Sequence, residues 1–179
     1  MGWRGAKLVQ SSWVVGVALG MSALAVLAAH RFGTLYAPDG PMAFFRTYIG
    51  YAVWSFVQQF LLVDFFLWRL MRLMPGRYAV ATTAVIFAAA HLPNPVLTPM
   101  TLVWGAAACL IFLRYRNLWP LGLAHAIFGI TIAMTVPGSV THGMRVGLGY
   151  LRYRPHTGLH GGLRTNNDQR MSTEASVRR

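Results

Sequence analysis

Long apolar stretches alternate along the chain with short polar or basic ones. The apolar segments are residues 12–29, 47–67, 78–91, 96–113 and 118–136. A helix needs about 20 mostly apolar residues to cross a bilayer, so the third segment is too short unless neighbouring residues join it. The pattern predicts an all-α fold, a polytopic transmembrane helical bundle of about five spans, with a loop at residues 30–46 after the first.

Three regions follow from this pattern. We predict an N-terminal membrane anchor helix and loop at residues 1–46, a transmembrane core at 47–136 and a basic, partly disordered tail at 137–179. The basic start and the apolar run after it also fit a cleaved signal peptide, although the length of the run and the later apolar segments favour a retained anchor. In the tail, residues 144–154 are predicted to lie on the membrane surface and about the last 25 residues to be disordered.

Composition supports the membrane assignment and narrows the partners. With 55% hydrophobic residues, 11% charged residues and a mean hydropathy of +0.46, the chain is too apolar for a soluble domain. Its 16 Lys and Arg residues oppose four acidic ones and lie in short loops and the tail rather than on a folded basic surface. We therefore expect anionic lipids, and no nucleic acid, as partners of the arginines. The expected location is the bacterial inner (cytoplasmic) membrane.

Polar side chains inside the apolar segments mark the candidate site. They are Ser55, Gln58, Gln59, His91 and His125. Polar groups at membrane depth are costly unless they are paired, so those that stay there usually mark a functional site. The alternative is that they only join helices through hydrogen bonds.

Helical spacing predicts that these residues meet in one pocket. Ser55 and the two glutamines share one face of the second segment with Tyr48 and Tyr51. In the third segment, Phe87 lies one helical turn before His91. Two prolines in the sequence His-Leu-Pro-Asn-Pro end that helix just after His91, which predicts irregular backbone at the floor of the pocket.

One carboxylate, Asp64, lies within the predicted spans. At 100° per residue of α-helix it projects roughly 120–140° away from the two glutamines. We therefore expect Asp64 to pair with Arg69, Arg72 or another loop arginine rather than to reach the histidines.

The order of these motifs resembles the CPBP family of intramembrane proteases, the CAAX-protease and bacteriocin-processing group. The pattern of that family is Glu-Glu-x-x-x-Arg in one helix, Phe-x-x-x-His in the next, and His-x-x-x-Asn or Asp in a later one. Here Phe87 and His91 match the second motif, with Leu-Pro-Asn-Pro after it, and His125 begins the third. The resemblance covers about residues 47–136 and implies a CAAX prenyl protease-like endopeptidase that cleaves peptide bonds near the membrane.

The chain departs from the family pattern at chemically important positions. Gln58 and Gln59 stand in place of the paired glutamates, Val63 in place of the arginine, and Gly129 in place of the final Asn or Asp. In the family the first glutamate is held to activate water together with the histidines, and a neutral amide cannot act as that base. An amide can still donate hydrogen bonds to a developing oxyanion.

The resemblance implies a histidine-based site. His91 and His125 are the expected water activators, Gln58 and Gln59 the expected polarising groups, and Asn94 a local hydrogen-bonding partner. His91 and His125 are also the predicted ligands of a zinc ion, although a catalytic zinc site usually has three protein ligands. The expected partner is a membrane-associated peptide or protein substrate.

Two other functions stay open at this point. The first is a catalytically impaired family member, a pseudoenzyme whose cavity binds a membrane peptide or a lipid. The second is a small transporter or channel subunit, which is disfavoured because the sequence contains no visible inverted repeat and too few spans for two matched halves.

Overall fold

The structure is a computed structural model that describes residues 7–153. These residues form helices joined by short loops, and no strand occurs among them. In chain order the helices are α1 (Leu8–Ser11), α2 (Trp13–Phe32), α3 (Gly40–Phe60), a π-helical segment (Leu61–Leu67), α4 (Trp68–Leu70), α5 (Gly76–Ala89), α6 (Leu97–Tyr115), α7 (Trp119–Thr135), α8 (Gly138–Thr141) and α9 (Gly147–Leu151).

Three helical stretches of the described chain are long and apolar enough to cross a membrane: Leu8–Phe32, Gly40–Leu70 and Leu97–Tyr115. Only 17%, 22% and 33% of the residues in their most apolar windows are buried, so these helices offer apolar side chains to lipid. Gly76–Ala89 and Trp119–Thr135 are shorter apolar helices. Together they confirm the predicted all-α membrane bundle.

The connection between the first two long helices is shorter than predicted. Helix α2 continues to Phe32 and α3 begins at Gly40, so the loop predicted at residues 30–46 is wrong at both ends. Pro41 does not interrupt α3 because it occupies the first turn, where its missing N–H would have no helical partner in any case. The predicted disordered tail lies outside the described residues.

Helix α7 is central to the bundle, because α2 and α3 both pack along it. A Cβ added at Gly122 of α7 would overlap the ring of Phe56 on α3, so glycine permits this close approach. Helices α5 and α6 form a second packed pair. There, a Cβ at Gly105 of α6 would lie 3.2 Å from the ring of Phe87 on α5.

The helix that carries the glutamines changes type immediately after them. Leu61–Leu67 is a π-helix, whose hydrogen bonds span five residues rather than four. It turns through fewer degrees per residue than an α-helix, so the angle predicted for Asp64 from α-helical geometry does not hold. Val63, where the CPBP pattern has arginine, is fully buried in the apolar core. An arginine at that position would place a charge in this core.

Candidate functional site

A cavity of about 1330 Å³ lies among helices α2, α3, α5, α6 and α7. Its wall is mostly apolar and includes the rings of Trp13 and Phe128. Three of the predicted site residues line it: Gln58, His91 and His125. The structure therefore brings together polar side chains from α3, from the turn after α5 and from α7.

Two other predicted residues do not line the cavity. Ser55 is fully buried, and its hydroxyl donates to the carbonyl of Tyr51 at 2.9 Å, one turn back on the same helix. That bond satisfies the hydroxyl and accounts for Ser55 without a functional role. Gln59 is also fully buried, behind the cavity wall rather than in it.

His91 lies in the turn after α5 and is 8% exposed. Its Nδ1 is 2.7 Å from the carbonyl oxygen of Phe87. Because a carbonyl oxygen only accepts, Nδ1 must carry the hydrogen, and the other ring nitrogen, Nε2, keeps its lone pair. His91 can therefore accept a proton or a hydrogen bond at Nε2.

His125 lies on α7 among aromatic rings. Its ring centroid is 5.8 Å from that of Phe87 and 6.2 Å from that of Trp104. Phe87 also meets His91 edge-on, at 4.9 Å, so one phenyl ring contacts both histidines. The Nδ1 atom of His125 is buried and has no hydrogen-bond partner among the described residues.

Trp104 of α6 is a site residue that the sequence reasoning missed. Its indole N–H donates to Oε1 of Gln59 at 3.2 Å. Since an indole N–H can only donate, the amide of Gln59 must turn its oxygen toward Trp104 and keep its NH₂ group for another partner. The indole N–H of a buried tryptophan usually has a hydrogen-bond acceptor. The sequence alone does not identify Gln59 as the acceptor for Trp104.

The side chain of Tyr51 fills the position that carries Asn or Asp in the CPBP pattern. A Cβ added at Gly129 would overlap the phenol ring and hydroxyl of Tyr51, which comes from α3. Both residues line the cavity, and Gly129 lies one helical turn after His125. Glycine is therefore needed to make room for Tyr51, whose hydroxyl supplies a polar group at this place.

Asn94 holds the loop after α5 in place. It is fully buried, and its NH₂ group donates to the carbonyls of Thr141 and Arg145 at 2.9 and 3.0 Å. Its oxygen accepts from the backbone N–H groups of Val96 and Leu97 at 3.1 and 3.0 Å. All four hydrogen-bonding positions of the amide are used. Asn94 thus ties the loop after α5 to the segment after α7.

The donors around the cavity do not complete a metal site. Asp64 is half-buried in the π-helical segment, and within the described chain neither it nor any other carboxylate lines the cavity. Residues 7–153 contain no group of three or more His, Cys, Asp or Glu that could hold a metal ion. Because catalytic zinc usually takes three protein ligands, His91 and His125 do not fit the predicted zinc on their own.

The sequence matches a known protein family over the region that carries this site. The family described as Type II CAAX prenyl endopeptidase Rce1-like matches residues 41–131, just over half of the 179 residues. The chain belongs to this family. No curated protein and no solved structure gives a significant match to the chain.

The Rce1-like match confirms the resemblance inferred from the order of the motifs. It runs from the start of α3 to near the end of α7 and therefore contains Gln58, Gln59, His91, His125 and Gly129. Helix α2, which contributes Trp13 and other residues to the cavity, precedes the matched region. The cavity of this Rce1-like protein is thus lined by residues inside the matched region together with residues of α2 that precede it.

Proposed function

We propose that this Rce1-like protein is an intramembrane endopeptidase that uses the two histidines of the cavity to hydrolyse a peptide bond. The observation that carries the proposal is the hydrogen bond from His91 to the carbonyl of Phe87, which leaves Nε2 of His91 as a base. His125 and Gln58 line the same cavity and can supply hydrogen bonds to a reacting carbonyl.

The reaction proceeds without a carboxylate. Nε2 of His91 takes a proton from water, and the hydroxide so formed adds to the carbonyl carbon of the peptide bond. The carbonyl oxygen becomes an oxyanion that accepts hydrogen bonds from the amide of Gln58 and the ring of His125. When the C–N bond breaks, protonated His91 returns its proton to the leaving amine. One water is consumed, and a carboxylic acid and an amine are formed.

The cavity also supports a substrate class. Small-molecule pockets span about 300–1,000 Å³, so a mostly apolar cavity of about 1330 Å³ has room for a hydrocarbon chain as well as peptide residues. We therefore propose a membrane-associated peptide or protein that carries a lipid, in keeping with the prenyl group in the family's description.

The test is cleavage of a prenylated CAAX peptide by the purified protein in liposomes, with the products identified by mass spectrometry. We expect a product from the wild type, at least about 100-fold less from His91→Ala, and a similar loss from His125→Ala. His142→Ala is the matched control, because His142 stacks on Tyr150 at 4.0 Å and does not line the cavity. Equal cleavage by wild type and His91→Ala would contradict the proposed base.

A binding function is the second candidate, and one observation favours it. No carboxylate of the described chain lines the cavity, and amides stand where the CPBP pattern has its paired glutamates. A protein with this function would bind the prenylated peptide without cleaving it. Binding with equal affinity by wild type and His91→Ala, and no product from either, would replace the peptidase with a binding protein.

We also propose that the protein lies in a bacterial inner membrane and that anionic lipids bind the end of the bundle that carries Arg69 and Arg116. The guanidinium of Arg116 lies 4.4 Å from the ring centroid of Trp68, so the ends of α4 and α6 meet. Arg69 stacks on Phe65 at 3.8 Å at the same end. Arginines at the interface attract anionic head groups. Mass spectrometry of lipids that co-purify with wild type, compared with Arg69→Gln, tests this proposal, and equal amounts of anionic lipid would contradict it.

A further inference from the structure

Two buried nitrogens next to the cavity are without hydrogen-bond partners among residues 7–153. They are Nε2 of Gln59 and Nδ1 of His125. The first belongs to an NH₂ group and can only donate, whereas the second accepts whenever the ring hydrogen is on Nε2. Burying a polar atom without a hydrogen-bond partner costs free energy. A hydrogen-bonded link between a buried donor and a buried acceptor therefore stabilises both atoms.

Trp104 contacts both residues that carry these atoms. Its indole N–H binds the oxygen of Gln59, and its ring lies against the ring of His125. The oxygen of Gln59 therefore faces Trp104, and the NH₂ group faces the other side of the amide. Trp104 therefore fixes the orientation of the Gln59 amide.

We propose that Trp104 is a positioning residue that acts through Gln59 to set the tautomer of His125. The NH₂ group of Gln59 donates to a water, and that water donates to Nδ1 of His125. Because Nδ1 then accepts, the ring hydrogen lies on Nε2. His125 consequently offers an N–H donor to the cavity, whereas His91 offers a lone pair.

This assignment rests on the proposed function in one respect only. It explains how two chemically identical side chains take different roles, His91 as the base and His125 as a hydrogen-bond donor. The tautomers themselves exist without substrate. A failed peptide-cleavage assay therefore leaves the tautomer proposal standing, and a wrong tautomer leaves cleavage as a separate question.

The experiment is ¹⁵N NMR of histidine-labelled protein in detergent, at about pH 8, where a histidine with its ordinary pKa is neutral. Single alanine variants at His91 and His125 assign their signals among the six histidines. In the wild type we expect His125 with hydrogen on Nε2 and His91 with hydrogen on Nδ1. His91 is an internal control for folding, because its bond goes to the backbone of Phe87.

Three variants test the route through Gln59. Gln59→Met keeps the length of the side chain and removes the donor, so the ratio of Nε2–H to Nδ1–H tautomers of His125 should fall by roughly fivefold. Trp104→Phe keeps an aromatic ring and frees the amide to turn, so the ratio should also fall. In the double variant Trp104→Phe should add nothing to Gln59→Met. Trp68→Phe, at a ring outside the cavity, is the matched control and should change nothing.

Three outcomes would overturn the proposal. The first is a His125 that carries its hydrogen on Nδ1 in the wild type. The second is a tautomer ratio that Gln59→Met leaves unchanged while His91 keeps its wild-type signal. If Trp104→Phe lowers the ratio equally with and without Gln59, Trp104 acts by packing alone, and the positioning role is wrong.

Discussion

Replacing Gly129 with alanine should destabilise the protein, which is the reverse of what this substitution does at an open helix position. In an open helix, alanine is more favourable than glycine by about 0.8–1 kcal/mol. At Gly129, however, the added Cβ would overlap the phenol ring and hydroxyl of Tyr51. Overpacking of this kind typically costs about 1–3 kcal/mol, so we expect a net loss of up to about 2 kcal/mol.

The assay is equilibrium unfolding in mixed detergent micelles, followed by circular dichroism. Gly50→Ala is the matched control, because Gly50 lies in α3 and a Cβ there would meet no atom within 4 Å. It should stabilise the protein or leave its free energy of unfolding unchanged. In a Tyr51→Ala background the obstruction is gone, and Gly129→Ala should then stabilise.

The decisive result is whether Gly129→Ala lowers the free energy of unfolding when Tyr51 is present and raises it in the Tyr51→Ala background. If Gly129→Ala is as stable as Gly50→Ala, or if it destabilises equally with and without Tyr51, the ring of Tyr51 does not occupy the space beside Gly129. The explanation for glycine at the position of the family Asn or Asp would then be wrong.

Three further predictions concern the loop, the core and the metal. Asn94→Ala removes four hydrogen bonds and should cost about 3 kcal/mol of unfolding free energy; hydrogen exchange should rise in residues 138–151, and unchanged exchange there would contradict the link. Val63→Arg places a charge in the buried core and should cost about 3–5 kcal/mol or prevent accumulation of folded protein, whereas a stable variant would show that the core can accept it. Two histidines make at most a weak zinc site, so metal analysis after dialysis should find less than about one zinc per chain, and none in His91→Ala; a full zinc complement retained by His91→Ala would place the metal elsewhere.

The membrane-spanning architecture was predictable because helices in contact with lipid carry mostly apolar residues. Apolar residues cover the long helices on nearly all sides, so their positions follow from hydropathy alone. Their ends were less predictable. Pro41 looked like part of a loop, but proline in the first turn of a helix and proline in a loop give the same local sequence. The π-helical segment Leu61–Leu67 could not be predicted, because its apolar residues resemble those of the α-helix that precedes it.

The site was predictable only as far as helical periodicity and motif order reach. Helical spacing predicted that Gln58, His91 and His125 point toward a common pocket, and in the structure all three line one cavity. The contact of Trp104 with Gln59 joins residues 45 positions apart. It depends on how α3 and α6 are rotated about their axes, which one sequence does not determine. The fit of the Tyr51 ring against a glycine of α7 was hidden for the same reason.

Our central claim is that this cavity is a hydrolytic site in which His91 acts as the base. The most direct measurement compares the rate of prenylated-peptide cleavage by wild type and His91→Gln, both reconstituted in liposomes and shown to be folded. A positioned general base contributes about 10²–10⁴-fold, so we predict that His91→Gln lowers the rate at least about 100-fold. Equal rates, or no cleavage by either protein, would contradict the claim.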